Sequence, residues 1–386
     1  MSIFSVPARI VTGGNALAES APFLKEMGSR ALVVTGRRTA GTPFFAELAA
    51  ILKENGLQYA VYSDITGEPT VSMIEEGVRA YRREGCDFLI GIGGGSPLDA
   101  AKAIAAMLVN PGRLSDYQGR ELGNATPPVA AIPTPAGTGS EATRFTIITD
   151  EATDTKMLLK GDALLPALAV VDYRASATMP PALTAATGLD ALTHAVEAYT
   201  SRRATPLTDT LAVSAVRRIL AALPAAYRDP SCADARREMA LAALEAGICI
   251  NNSSVTIVHG MSRPVGALFH VPHGLSNAML LTVCLRDVMD GALDRFASLS
   301  RAAGCSADPS DAAAADALLG ALEDVCRVCE VPGLASYGIG REAFFAAVDK
   351  MAADAVASGS PANCHKAVTA ADCARLYRAA WAAGAR

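Results

Sequence analysis

Along the first half of the chain, short runs of β-branched residues alternate with stretches whose apolar residues recur at helical spacing. ALVVTG (31–36), YAVYSDI (59–65), FLIGIGGGS (88–96) and PVAAIPT (128–134) predict strands, the third running into a turn. TPFFAELAAILKENG (42–56), SMIEEGVRAYRREG (72–85) and PLDAAKAIAAMLV (97–109) predict the helices between them. Strands separated by single helices form parallel βαβ units. LAVVD (168–172) is the last predicted strand, and TMPPAL (178–183) then breaks the alternation. Beyond it, ALTAATGLDALTHAVEAYTS (182–201), LTDTLAVSAVRRILAAL (207–223) and REMALAALEAGICI (237–250) are long, alanine-rich and helical in period. The pattern predicts an α/β domain with a parallel sheet over 1–178 and an all-α domain over 179–386. No internal repeat or low-complexity linker interrupts it.

Composition narrows the function classes. Hydrophobic residues make up 51% of the 386, enough for a large buried core, and the net charge is −5. Lysines and arginines are scattered, without the block that marks a nucleic-acid partner. Residues 1–20 lack a basic start followed by an apolar run, and no uninterrupted apolar run reaches the length of a bilayer span. The expectation is a cytoplasmic chain with no membrane partner. Nine cysteines, an odd number without a secretory signal, argue against a disulfide framework. Cys326 and Cys329 form a lone CxxC at the end of a predicted amphipathic helix, and read as buried thiols ahead of zinc or redox use.

The strongest local signal of the first half is FLIGIGGGSPLDAAK (88–102). A hydrophobic strand meets Gly93-Gly94-Gly95 and a helix begins at once, with Ser96 suited to the N-cap and Pro97 to the first helical position. Glycines let backbone N–H groups approach an anion, and a helix N-terminus adds partial positive charge, so the turn can hold a pyrophosphate. From Gly91 it reads G-x-G-x-x-S, without the third glycine of a dinucleotide fingerprint, and a purely tight turn is the plain alternative. IPTPAGTGSEATRF (132–145) also follows a strand, with Thr134, Gly137, Thr138, Gly139 and Ser140 available to line a phosphate or ribose.

The second half carries a metal-ligand pattern. Asp190 and His194 in GLDALTHAVEAY stand four residues apart and share a helix face. His259 and His273, each followed by glycine, lie downstream in VHGMSRPVGALFHVPHGLSN. One carboxylate and three imidazoles suit Fe²⁺ or Zn²⁺ with a position open for substrate. The plain alternative is a helix-surface Asp–His pair and two capping histidines. His270 competes with His273 but lacks its Pro272-His273-Gly274 setting, and His365 reads as a loop residue.

At these residues the sequence resembles the iron-containing (group III) alcohol dehydrogenase family. The matching stretches are GGGSPLDAAK, IPTPAGTGSE, MPPALTAATGLDALTHAVEAY and HGMSRPVGALFHVPHGLSNAML, with PARIVTGGNAL near the start and LYRAAW near the end. The resemblance implies a Rossmann-like domain and an all-helical domain, in the architecture shared with dehydroquinate synthase, with the active site in the cleft between them. It implies hydride transfer between NAD(P)(H) and a primary or small alcohol or aldehyde, and a homodimer or larger assembly. Its metal ligands fall on Asp190, His194, His259 and His273. Its cofactor contacts fall on Gly93, Gly94, Gly95, Ser96, Asp99, Thr134, Thr138 and Lys156.

Three departures from the family's pattern matter. Gly36, followed by Arg37 and Arg38, stands where NAD-preferring relatives often carry an aspartate, and removing that charge should admit NADP beside NAD. Arg263 stands where many relatives have a second histidine, and a guanidinium there could bind an anionic group of the substrate. The alternative is a structural arginine paired with an acid. Pro135 replaces a usual threonine. Two other classes compete with the dehydrogenase: a dehydroquinate synthase-like lyase, which returns its cofactor unchanged, and a non-enzymatic metal- or nucleotide-binding protein.

Overall fold

The computed structural model describes residues 3–135, 137–153 and 155–383. It divides into two compact units, Ser5–Thr178 and the residues from Met179 onward. Ile3 and Phe4 group with the second unit, although they lead into the first along the chain.

The first unit is built on a parallel sheet of β1 (Arg9–Gly13), β2 (Arg30–Val34), β3 (Gln58–Tyr62), β4 (Phe88–Gly93), β5 (Val129–Pro133) and β8 (Leu168–Asp172). Their order is β1-β8-β5-β4-β2-β3, and every neighbouring pair is parallel. β6 (Phe145–Asp150) and β7 (Thr155–Lys160) form a separate antiparallel hairpin. The helices are α1 (Ala16–Glu19), α2 (Ala21–Met27), α3 (Arg37–Ala40), α4 (Pro43–Glu54), α5 (Val71–Arg83) and α6 (Gly95–Met107).

Strand period sorts the core into two layers. Ala31 and Val33 of β2 join Leu48 and Leu52 of α4, whereas Leu32 and Val34 join Ile74 of α5 and Ile104 of α6. With helices on both faces, β4, β5 and β8 are buried at every position, so they read in the sequence as continuous apolar runs. Burying each such aliphatic side chain contributes about 1.5–3 kcal/mol.

The apolar pattern did not predict β1 or the β6–β7 hairpin. β1 is a sheet edge with no buried position, and in the hairpin (FTIITD and TKMLLK) apolar residues are interspersed with Thr, Lys and Asp and only some are buried. Such one-sided strands differ little from loops in a hydrophobicity pattern. The start of α6 also differs. Gly94, in extended conformation, is the N-cap and the helix begins at Gly95, so Ser96 and Pro97 are its second and third residues. The glycines complete the turn two residues earlier than a serine cap would.

The second unit contains α7 (Pro181–Thr200), α8 (Pro206–Arg228), α9 (Ala233–Asn252), α10 (Ile257–Phe269) and α11 (His273–Val288). It continues with α12 (Leu293–Ala303), α13 (Asp311–Val328), α14 (Arg341–Ala357) and α15 (Ala370–Ala383), and has no strand among the described residues. α8 is long and apolar enough to cross a membrane by length and composition. Its buried positions Thr208, Ala212, Ala215, Val216, Ile219 and Leu223 recur at helical spacing, as in a core helix packed along one side.

Beneath the sheet's carboxyl end, Lys102 of α6 is fully buried. Its ammonium donates to the carbonyl oxygens of Ser140 (3.0 Å) and Thr143 (3.3 Å), and Asp99 Oδ1 lies 3.2 Å away. Glu141 is also fully buried, and neither carboxylate oxygen has a hydrogen-bond partner among the described residues. Burial pushes its pKa up to about 7, against the opposing pull of its own backbone N–H and of Lys102. Folded Glu141 therefore holds its proton more tightly than the unfolded chain does. The stability this adds is present below the ordinary carboxylate pKa and is lost as pH rises toward 7. Glu141→Gln should flatten the slope, stabilising the protein at pH 8 relative to pH 5 by up to roughly 2–3 kcal/mol. Denaturant unfolding at the two pH values checks this, and parallel pH profiles for both proteins would refute it.

Candidate metal and cofactor sites

In the helical unit, three helices converge on one carboxylate. α7 carries Asp190 and His194 one turn apart on a buried face. His259 lies in the first turn of α10, and His273 is the first residue of α11. Gly274 explains why His273 can come so close. A Cβ at that position would sit 2.0 Å from the carbonyl oxygen of Ala186, so only glycine lets the start of α11 lie against α7.

Asp190 Oδ1 is the centre of the cluster. It lies 3.5 Å from Nε2 of His259, 3.7 Å from Nε2 of His273 and 3.9 Å from Nε2 of His194. Asp190, His259 and His273 offer donor atoms all within 4.8 Å of one another, and His194 adjoins them through Asp190 and by stacking on His259. A tetrahedral ion bound at about 2.1 Å by each donor separates its donors by about 3.4 Å. Asp190, His259 and His273 therefore suit a divalent transition ion in both donor type and spacing, with His194 adjoining them. His270 is not among these donors: it is exposed in a left-handed conformation (φ 54°) that closes α10. His365 is exposed after Cys364 and likewise stands apart.

Protonation suits the same role. Burial would raise the Asp190 carboxyl, but the fields of His194 and His273 and the contact with His259 hold it well below the usual range. Burial depresses His194 to about 3, leaving a neutral imidazole at pH 7. Burial would also depress His259, but Glu197 and Asp190 outweigh it and raise its pKa.

Two residues of this site escaped the sequence reading. Glu197 follows His194 by three residues on α7 and is fully buried. Its Oε1 accepts from Val258 N (2.6 Å) and Thr256 Oγ1 (2.7 Å), and its Oε2 lies 2.5 Å from His259 Nδ1. A carboxylate there keeps the proton on Nδ1 and turns the Nε2 lone pair toward Asp190. Asn277 stands one turn after His273, and its Nδ2 donates to Asp190 Oδ1 (2.7 Å) while lying 3.1 Å from His259 Nε2. Its buried Oδ1 and the buried Nδ1 of His194 have no partner among the described residues. The signal for Glu197 was its spacing: Asp190, His194 and Glu197 mark one stripe of α7.

In the α/β unit the glycine turn and the second loop are joined. Thr134 N donates to Gly93 O (2.7 Å), and the Thr138 side chain lies 3.1 Å from where a Gly95 Cβ would stand. Gly93 has φ +145°, and a Cβ there would strike Pro97, so the turn requires glycine. No side chain caps α6, which leaves the first-turn N–H groups, Gly95 and Ser96 among them, without a capping acceptor. Asp99 anchors the second loop: its carboxylate accepts from Ser140 Oγ (2.5 Å) and Ile147 N (2.9 Å). Lys156 on β7 pairs with Glu68 (2.6 Å).

Gly36 follows β2, and a Cβ there would lie 2.8 Å from the Ile65 carbonyl oxygen, so close backbone contact disfavours an aspartate. Arg37 pairs with Asp64 (2.7 Å), which removes one of the two charges read as free. Arg38 is exposed and makes no ion pair among the described residues.

The family model "Iron-containing alcohol dehydrogenase" matches residues 7–173, and "Fe-containing alcohol dehydrogenase family, C-terminal" matches residues 184–381. The chain belongs to the iron-containing alcohol dehydrogenase family. The NAD-dependent methanol dehydrogenase of Bacillus methanolicus is 37% identical over 89% of this chain and 91% of its own. The lactaldehyde reductase of Escherichia coli K12 is 34% identical over 91% and 92%. A solved 1,3-propanediol oxidoreductase superposes with a TM-score of 0.95 at 32% identity, covering 98% of this chain and all of that one. The protein is an alcohol oxidoreductase with the family's Rossmann-like and helical parts, which separates it from the lyase and from a non-enzymatic binder.

Losing the Glu197 carboxylate should loosen the site while keeping its ligands. Glu197→Gln is expected to weaken metal affinity about 10- to 100-fold. Competition against a graded chelator measures it, and unchanged affinity would remove Glu197 from the site.

Proposed function

We propose that Asp190, His194, His259 and His273 hold Fe²⁺, with Zn²⁺ as the competing ion, in an NAD(P)-linked oxidation of small alcohols and reduction of the corresponding aldehydes. One observation carries the reading: a single buried carboxylate oxygen has three imidazole nitrogens 3.5–3.9 Å from it. When bound, the ion supplies a Lewis acid to the alcohol or carbonyl oxygen, and the nicotinamide accepts or returns the hydride.

The chain's own residues do the rest. Asp190 offsets part of the cation's charge inside an apolar unit. Glu197 keeps the His259 Nδ1 proton in place, so that Nε2 stays a lone-pair donor. Buried His194, neutral at pH 7, needs no deprotonation before it can ligate. At the other unit, Gly93 to Ser96 offer the backbone N–H groups and helix N-terminus for a pyrophosphate, beside Thr134 and Thr138. Asp99 serves by holding the second loop to β6, and Lys156 stands on the hairpin.

The same reading extends to NADP. Gly36 brings no carboxylate to repel a 2′-phosphate, and Arg38, two residues on, is an exposed cation with no ion pair among the described residues. Arg38→Glu should lower kcat/KM for NADPH at least tenfold more than for NADH. Steady-state kinetics with both cofactors check it, and equal losses would assign Arg38 to the solvent.

The decisive test concerns the ligands. His259→Ala and His273→Ala should each lose bound metal and aldehyde-dependent NAD(P)H oxidation. Metal analysis and nicotinamide absorbance measure both, and full activity in both variants would end the proposal.

A further inference from the structure

Arg263 lies on one of the helices that carry the Asp–His cluster, and the foregoing gives its side chain no role. It lies on α10 four residues after His259, on the same face and one turn further along. Long helical side chains lean back over the preceding turn, which here is the turn of His259. The guanidinium is partly buried, and its Nη1 donates to the hydroxyl of buried Ser360 (3.2 Å). No carboxylate forms an ion pair with it among the described residues. Glu197 is the acid whose field reaches it, but both Glu197 oxygens are engaged by Thr256, Val258 and His259. Burial lowers the Arg263 pKa, as expected for a cation short of a counter-charge.

A guanidinium has five N–H donors in a planar fork and stays charged at any working pH. Withdrawing such a group from water without an acid beside it is costly, and an arriving oxyanion relieves that cost. Resting on the reading of the metal site above, we infer that Arg263 binds an anionic group on the substrate, so that the preferred substrates are short aldehydes and alcohols bearing a carboxylate, phosphonate or sulfonate. The fork matches a planar carboxylate and two oxygens of a tetrahedral anion equally well, so the shared chemistry is an oxyanion a few bonds from the carbonyl. The reacting end would lie toward the ligands and the anionic end one helical turn away. The reduction consumes one aldehyde, one NAD(P)H and one proton, and returns the alcohol and NAD(P)⁺, while the anionic group is unchanged.

The test compares propanal with 3-oxopropanoate, phosphonoacetaldehyde and sulfoacetaldehyde, in the metal-loaded wild type, Arg263→Gln and Arg263→Lys. The wild type should favour at least one anion over propanal in kcat/KM, and the favoured anion identifies the class. Arg263→Gln should lower the anion-to-propanal ratio roughly 10- to 100-fold, chiefly through KM. Arg263→Lys, which keeps charge but not the fork, should restore part of that ratio and guards against a folding failure. Calorimetry of 3-hydroxypropanoate, 2-hydroxyethylphosphonate and 2-hydroxyethanesulfonate on metal-free protein gives a readout independent of turnover. Arg263→Gln should bind the preferred anion at least tenfold more weakly. Turnover of propanal with no anion preference, or equal losses for both substrate types in Arg263→Gln, would overturn the inference and leave the dehydrogenase reading intact. Turnover of no aldehyde at all would overturn that reading instead, and the calorimetry alone would then decide Arg263.

Discussion

The helical unit depends on a close approach: the start of α11 presses against α7 where Gly274 meets the Ala186 carbonyl. That contact brings His273 to the carboxylate of Asp190, and α10 delivers His259 to the same oxygen. A buried carboxylate without compensation is expensive, and three imidazoles with an amide surround this one. The cluster is continued by buried Glu197, Thr256 and Asn277, whose hydrogen bonds tie α7 to α10 and α11. Any residue larger than glycine at 274 would have to move α11 or α7, and the donors with them.

Around that centre, roles are divided by environment. His194 and His259 are the same side chain, both buried and stacked at 4.5 Å, yet their pKa values move in opposite directions. The difference is Glu197, whose carboxylate contacts His259 directly and reaches His194 only through its field. A carboxylate in contact with one imidazole and not the other thus sets two like side chains apart. Arg263, on the helix of His259, is a cation with no ion-paired acid among the described residues.

The α/β unit solves a different problem, how to expose backbone N–H groups without leaving a buried helix end disordered. Gly93 adopts a left-handed-side φ, Gly94 caps α6 without a side chain, and Gly95 lets Thr138 close against the turn. Asp99 and Lys102 then fasten the second loop and β6 to α6. Rigidity comes from these buried bonds, and no side chain caps the first-turn N–H groups of α6.

Much of this was legible in the residues themselves. The switch from strand–helix alternation to long alanine-rich helices marked the change of architecture near residue 178, because the period of burial is a local property. The spacing of Asp190 and His194, and the His-Gly pairs, marked the residues that gather around the Asp190 carboxylate for the same reason. Glu197 and Asn277 were hidden because their partners lie 62 and 87 residues away, and nothing local separates a buried acid or amide from an exposed one. Ser96 looked like a cap by residue type, but the glycines ahead of it closed the turn first. Arg37 looked like a free charge until the chain brought Asp64 to it, while Arg263 forms no ion pair among the described residues. Composition and period determined which residues could carry the chemistry. Only the packing of distant helices decided which partner each one met, because burial and counter-charge are properties of neighbours in space.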